Sequence, residues 1–230
     1  MQPTLNSAAH FADYSNKLQK LLATSNWSGV ELLALDLRQC WQQKRRVFIC
    51  GNGGSAGNAI HLENDFLYGI AKTLGGGLRV TALTANAAVI TCLANDVGYD
   101  SIFSEQLAVQ ASEGDLLIAL SGSGNSPNII QALQQARSMG VKSYAILGFA
   151  GGLSKEIADV AIHFPIDDMQ IAEDMQLIVG HMVMQWWYDK KISSRKRLKP
   201  PGPMTLLQPH VMDAHLTGPR PISILTRYFL

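Results

Sequence analysis

Three short stretches of this sequence carry side chains that could do chemistry. In "GNGGS", residues 51 to 55, glycines bracket Asn52 and Ser55 follows, directly after the apolar run "RVFIC". A strand-to-helix turn of this kind aims backbone N–H groups and a hydroxyl at a helix N-terminus, where an anion is favoured. "SGSGNSPN", residues 121 to 128, repeats the arrangement after a second apolar run, with Ser121, Ser123 and Ser126 supplying hydroxyls. Neither loop has the Lys-Ser/Thr ending of a P-loop and neither is G-x-G-x-x-G, so nucleotide binding is unsupported. One such loop is commonly no more than a tight turn. Two, each at the C-terminal end of a strand, point to a bound phosphate, because open α/β sheets hold ligands at that edge.

The third stretch is "HLEND", in which His61 and Asp65 stand at i and i+4. That spacing puts an imidazole and a carboxylate on one helix face, where both can reach one ion. Taken alone, such a pair is more commonly a surface or capping contact. Glu173 and His181 are eight residues apart in the last apolar segment, about 12 Å along an ideal helix and near the limit for sharing an ion. Part of such a site would then come from a helix end or another subunit. Two histidines and two carboxylates suit zinc and leave iron, manganese and nickel open. By default, His181 within "LIVGHMVMQWW" is a core histidine.

These groups need a scaffold, and its elements are legible. Leucines, alanines and tryptophan at helical spacing predict helices over 8–23 and 28–44, with Ser28 as cap of the second. Five short apolar runs then predict strands at 46–50, 79–84, 115–121, 142–148 and 160–165. Helical segments lie between and beside them at about 55–68, 86–94, 101–111, 126–139 and 153–157, and a long last helix covers 170–191. Strands that are apolar on both sides, alternating with helices, imply a parallel sheet covered on both faces.

The chain's 230 residues suit one well-buried domain, expected over 1–192. A net charge of +1 gives no reason to expect a nucleic acid. No apolar run approaches the roughly 20 residues that span a bilayer, and Met1 to Asn16 lacks a secretory signal's pattern. A cytoplasmic protein without membrane or nucleic-acid partners is the expectation. Cys40, Cys50 and Cys92 sit among apolar residues and read as buried thiols of a reducing compartment. Asp167, Asp168 and Asp174 cluster where negative charge complements the last helix's dipole, and Trp186 and Trp187 read as material for packing against a neighbouring subunit. From 193 to 230 the chain is basic and Pro-rich, with an apolar end: a tail, loosely docked or acting as a subunit-contacting arm.

The order "GNGGS", "H-x-x-x-D", "ANDVGYDSIFSEQL", "GDLLIALSGSGNSPNIIQAL", "GGLSKEIADV" and a final histidine-bearing helix resembles the SIS (sugar isomerase) family over roughly residues 10 to 190. Within it, the chain is most similar to the phosphoheptose isomerases, which interconvert sedoheptulose 7-phosphate and D-glycero-D-manno-heptose 7-phosphate. The resemblance implies an α/β fold: a single SIS-type domain with a five-stranded parallel sheet flanked by helices, a Rossmann-like three-layer sandwich. It also implies a homotetramer with N-terminal helices in the oligomer contacts and active sites at subunit boundaries.

By the same resemblance, Ser55, Ser121, Ser123 and Ser126 hold the phosphate, with Gly54 and Gly122 in the cradle. Asn52, Gly53, Asn95 and Asp96 touch the sugar, and Asp65 and Glu173 also face it. A zinc site carries over to His61, Asp65, Glu173 and His181, with Asp65 as catalytic base and His181 as acid. Asp65 stands where the family has Glu, Glu173 where it has Gln, Gly122 where it has Thr, and Gly69 where arginine is common. These departures keep two further readings open: isomerisation of another ketose phosphate, or a non-catalytic phosphosugar-binding regulator of the same fold.

Overall fold

The structure, a computed structural model, describes residues 7–189; the tail expected over 193–230 lies outside the described residues. All five apolar runs form strands: β1 (Arg46–Gly51), β2 (Arg79–Ala82), β3 (Leu116–Ser121), β4 (Lys142–Leu147) and β5 (Val160–His163). They pair in parallel in the order β2-β1-β3-β4-β5. The chain runs from β1 to one side and returns to build β3 on the other, so a topological switch point lies between β1 and β3.

The helices are α1 (Ser7–Thr24), α2 (Ser28–Gln43), α3 (Gly54–Asn64), α4 (Ile70–Leu74), α5 (Ala87–Asp96), α6 (Ser104–Gln110), α7 (Pro127–Ser138), α8 (Ser154–Ile157) and α9 (Met169–Tyr188). Side chains alternate across the sheet and feed two cores. Val47, Ile49, Ile118 and Leu120 pack with Leu33 and Leu37 of α2, Leu62 of α3 and Val179 of α9. Phe48, Cys50, Leu117 and Ala119 pack on the opposite face with Leu107 of α6 and Ile129 and Leu133 of α7. This is the three-layer α/β arrangement expected. Among the described residues no helix is long and apolar enough to cross a membrane.

Several details correct the sequence expectations. Ser28 is not the cap of α2 but its first residue. Trp27 occupies the cap position without a side-chain bond, and its carbonyl accepts from Val30 and Glu31 at 3.0 Å each. The Asn26 side chain takes the Ser28 N–H at 2.9 Å. The helix expected over 101–111 divides into a 3-10 turn at Tyr99–Ser101 and α6. Cys40 and Cys50 are buried, but Cys92 is exposed. Trp187 is buried within its own subunit and donates to the Ala34 carbonyl at 3.3 Å, so it is not a subunit contact. Asp168 does cap α9, accepting from Ile171 N–H at 3.3 Å. Asp174 has another use, accepting the Tyr14 hydroxyl and tying α1 to α9.

The periodicity over 55–68 predicts unbroken helix, whereas a π-helical turn, Asp65–Gly69, stands between α3 and α4. Its wider winding sends the Ile70 N–H to the Asp65 carbonyl and leaves the Phe66 carbonyl to the Leu78 N–H at 3.0 Å. A Cβ on Gly77 would stand 1.7 Å from the Leu67 carbonyl oxygen. The chain can therefore turn back toward β2 against the bulge only with glycine there.

Candidate functional site

Both serine-bearing loops leave adjacent strands at the C-terminal edge, on either side of the switch point. The first passes from β1 through Asn52 to Gly53, whose φ of 55° suits glycine, into α3. Ser55 in the first turn of α3 is buried, and its Oγ accepts from Gln176 Nε2 at 2.9 Å. Gln176 is itself buried on α9, and its Oε1 accepts from Asn58 Nδ2 at 2.9 Å. The Gln176 amide is thus oriented at both ends. The Ser55 Oγ receives a proton from Gln176, which leaves the serine's own O–H to donate into the loop.

In the second loop Ser121 is buried and its Oγ accepts the Gly124 N–H at 3.0 Å, so it shapes the loop from within. Ser123 is exposed and accepts weakly from Asn125 N–H at 3.3 Å. Ser126 occupies the cap position of α7 without a side-chain bond to the helix, and Pro127 opens the first turn. Gly122 packs beneath Met169, whose sulfur would lie 2.5 Å from a Cβ. A reciprocal amide pair joins the loops: Asn52 Nδ2 donates to Asn128 Oδ1 at 2.8 Å, and Asn128 Nδ2 returns to Asn52 Oδ1 at 2.9 Å. The Tyr99 hydroxyl adds a bond to Asn52 Oδ1 at 3.0 Å. Asn95 and Asp96 are exposed at the end of α5 and bond each other at 2.7 Å. The Asn95 amide, with help from Cys92, holds the Asp96 carboxyl below its ordinary range.

Two helical turns along α3 from Ser55, three potential ligands converge. His61 Nε2 is 3.1 Å from His181 Nε2. Asp65 Oδ2 is 3.3 Å from each of those nitrogens. First-row ions bind such atoms at about 2.0–2.2 Å, which makes neighbouring ligand atoms about 2.8–3.6 Å apart across octahedral and tetrahedral shells. The triangle falls within that interval, and two neutral imidazoles with a carboxylate suit zinc and its neighbours. The carboxylate is the sheltered member, with 18% of its side chain accessible against 48% and 46% for the histidines. The convergence depends on how closely α3 and α9 approach, since a Cβ on Gly180 would fall 2.2 Å from Leu62 Cδ2. These two residues adjoin His181 and His61.

Glu173 does not join the group of ligand atoms that lie within 4.8 Å of one another. Its carboxylate instead rests on the first turn of α3, so close that a Cβ on Gly54 would be 2.3 Å from Oε2. Its carbonyl accepts from Asn58 Nδ2 at 3.0 Å. The two turns of α9 between Glu173 and His181 separate them, as the spacing warned. Gln176, Asn58, Asn128 and Tyr99 escaped the sequence reading. A faint signal existed for Gln176, an amide within an apolar helix face, and for Asn128, which extends the second loop into α7.

The chain matches a family described as SIS domain over residues 10–148. It is 41% identical over 140 residues to a phosphoheptose isomerase of Akkermansia muciniphila, a match covering 61% of this chain and 74% of that protein. Among solved structures, a phosphoheptose isomerase of Neisseria gonorrhoeae superposes with a TM-score of 0.69 at 28% identity, covering 78% of this chain and 95% of that one. Another from Francisella tularensis gives 0.71 at 25% identity, with coverages of 79% and 96%.

Proposed function

We propose that this chain, which belongs to the SIS domain family and within it to the phosphoheptose isomerases, interconverts sedoheptulose 7-phosphate and D-glycero-D-manno-heptose 7-phosphate. The observation that carries this reading is that His61, on the same helix as Ser55, is met by Asp65 of the following π-turn and His181 of α9 to form one cluster along α3 from the serine loop. Ser55 and His61 are six positions apart on α3, about 9 Å along the axis. That is a reach comparable to an extended sugar phosphate, anchored at one end and reacting at the other.

In this reading the phosphate sits over the first turn of α3, held by Ser55, Ser123 and Ser126 and by backbone N–H groups that include those of Gly54 and Gly122. Ser121 and the Asn52–Asn128 pair fix the loops around it. Asn52 and Gly53 line the sugar's path, and Asn95 and Asp96 approach it from α5. The reaction moves one proton from C1 to C2 and one from O1 to O2 through an enediol, with no net oxidation. Asp65 removes the carbon-bound proton and redelivers it, while His181 serves the oxygens. Glu173, beside Gly54, is placed to orient a sugar hydroxyl between the two ends.

His61, Asp65 and His181 fit a divalent ion, which we assign as zinc; bound there, it would polarise the sugar's carbonyl and hydroxyl oxygens. The exposed character of α1, which buries only Leu21, and of α5, which buries nothing, supports an assembly in which these helices are covered, which we assign as a homotetramer. We place the enzyme in the cytoplasm.

The test is to incubate purified protein with sedoheptulose 7-phosphate in D2O, with and without zinc, and follow the products by NMR. Zinc-dependent formation of an aldose 7-phosphate carrying deuterium at C2 is expected. Folded, zinc-loaded protein that leaves the ketose unchanged would exclude the assignment.

A further inference from the structure

We propose that the concave, basic surface at the opposite, N-terminal edge of the sheet is a second binding site, one for a small oligophosphate with two or three linked phosphates. Lys44, Arg45 and Arg46 follow one another into β1, and Arg79 opens β2. Together with Val109, Asp115 and their neighbours they line a cavity of about 940 Å³, within the range that holds small ligands. Arg46 and Arg79 are register partners across the parallel β1–β2 pair, so two guanidinium groups leave the same face side by side. Like charges opposed in this way repel. Neither guanidinium has an ion-pair partner among the described residues.

The one carboxylate that lines the cavity among the described residues is fully engaged. Buried Asp115 gives Oδ1 to the Arg46 N–H and Oδ2 to the Ser112 N–H, at 2.9 Å each. Two of the guanidinium groups are pre-set by carbonyls: Arg45 Nη1 donates to Glu113 O and Arg79 Nη1 donates to Lys44 O, both at 2.9 Å. Each keeps further N–H groups for a ligand, and a fork held in place suits the paired oxygens of a phosphate. Lys44 is held at a φ of 57°, a left-handed conformation that turns the chain out of α2 into this cluster. Among the described residues no aromatic ring lines the cavity, and Val109, 86% exposed, is its apolar rim. Recognition would therefore read the phosphate chain, not a stacked base. β1 separates this surface from the serine loops by about 17 Å, so both can be occupied at once.

Titration of the full-length protein with sodium tripolyphosphate in a calorimeter tests this. One ligand per chain is expected, weakening as salt rises from about 0.05 to about 0.3 M because the contact is ionic. Arg46→Gln and Arg79→Gln should each weaken binding at least tenfold, and Arg79→Lys, which keeps the charge but loses the fork, by less. Arg45→Gln, in the loop before β1, serves where a strand variant fails to fold. Ser55→Ala and His61→Ala should bind as the parent does. Absence of binding to folded parent protein would overturn the site. So would binding that survives the arginine changes, or that disappears in Ser55→Ala or His61→Ala, since the probe would then sit in the serine loops or strip the histidine cluster's ion.

Discussion

Gln176 on α9 donates its amide proton to the Ser55 hydroxyl on α3 across 2.9 Å, inside the protein and with its own carbonyl held by Asn58. Because the serine oxygen is already an acceptor, its O–H is left to face the loop, and Gln176 becomes a positioning residue for the phosphate. Gln176→Leu is expected to raise KM for the sugar phosphate about tenfold, the worth of roughly one hydrogen bond to a charged group, with a smaller change in kcat. In a Ser55→Ala background the same change should have little further effect on KM. A full and independent KM penalty in that background would show that Gln176 acts elsewhere.

The approach of Gly180 to Leu62 sets the separation of the two histidines that adjoin them. Gly180→Ala drives a methyl group into Leu62 and should cost about 1–3 kcal/mol of stability. It should also weaken zinc binding by about tenfold or more, although neither residue is a ligand. Zinc affinity measured by competition with a chromogenic chelator, alongside thermal melts, decides it. Unchanged affinity in a destabilised variant would mean that the cluster tolerates helix movement.

Asp65 is the sheltered member of the triangle and touches both imidazoles. Asp65→Asn keeps the shape but removes the charge. It should lower kcat by at least about a hundredfold, the scale of a lost general base, and reduce zinc retained after dialysis. His61→Ala should lose zinc as well. Metal content by elemental analysis together with turnover checks both, and a zinc-replete, active Asp65→Asn would remove Asp65 from the proposed chemistry.

Burial, aided by a hydrogen bond to the Asp174 carboxylate and its charge, pushes the Tyr14 hydroxyl up to about 12 from its usual 10. A group whose value is raised on folding stabilises the fold fully below its unfolded value and loses that contribution as pH climbs through the folded one. The α1–α9 contact should therefore weaken between about pH 10 and pH 12. Tyr14→Phe should flatten the pH dependence of stability in that window, as followed by denaturant melts and absorbance of the ionised phenols. Identical slopes in parent and variant would place the contribution of this bond at zero.

Much of the architecture is written in local chemistry. Five apolar runs such as "LLIALS" could only be strands covered on both faces, and glycines and serines after two of them marked the ligand edge. Asp168 could be placed at the start of the last helix as a charge favoured by its dipole, and the structure makes it the cap. The cap of α2 could not be read in this way, because Ser28 and Asn26 offer competing oxygens and it is Asn26 that takes the Ser28 N–H, with Trp27 at the cap position. The family resemblance read from motif order agrees with the domain match and the relatives, since motif order survives where single residues change.

What the sequence determined by itself is the alternation of strand and helix, the two serine loops and the pairing of His61 with Asp65, because each depends on residues within a few positions of one another. Tertiary structure decided the rest. His181 meets His61 across 120 positions of chain, and Gln176 meets Ser55 across 121, contacts fixed by how closely α9 can lie on α3 at a glycine. The same packing kept Glu173 out of the ligand triangle, because a rigid helix carries two residues eight apart to different ends of the site. Helical periodicity states which face a side chain occupies; only the packed partner determines what that face meets.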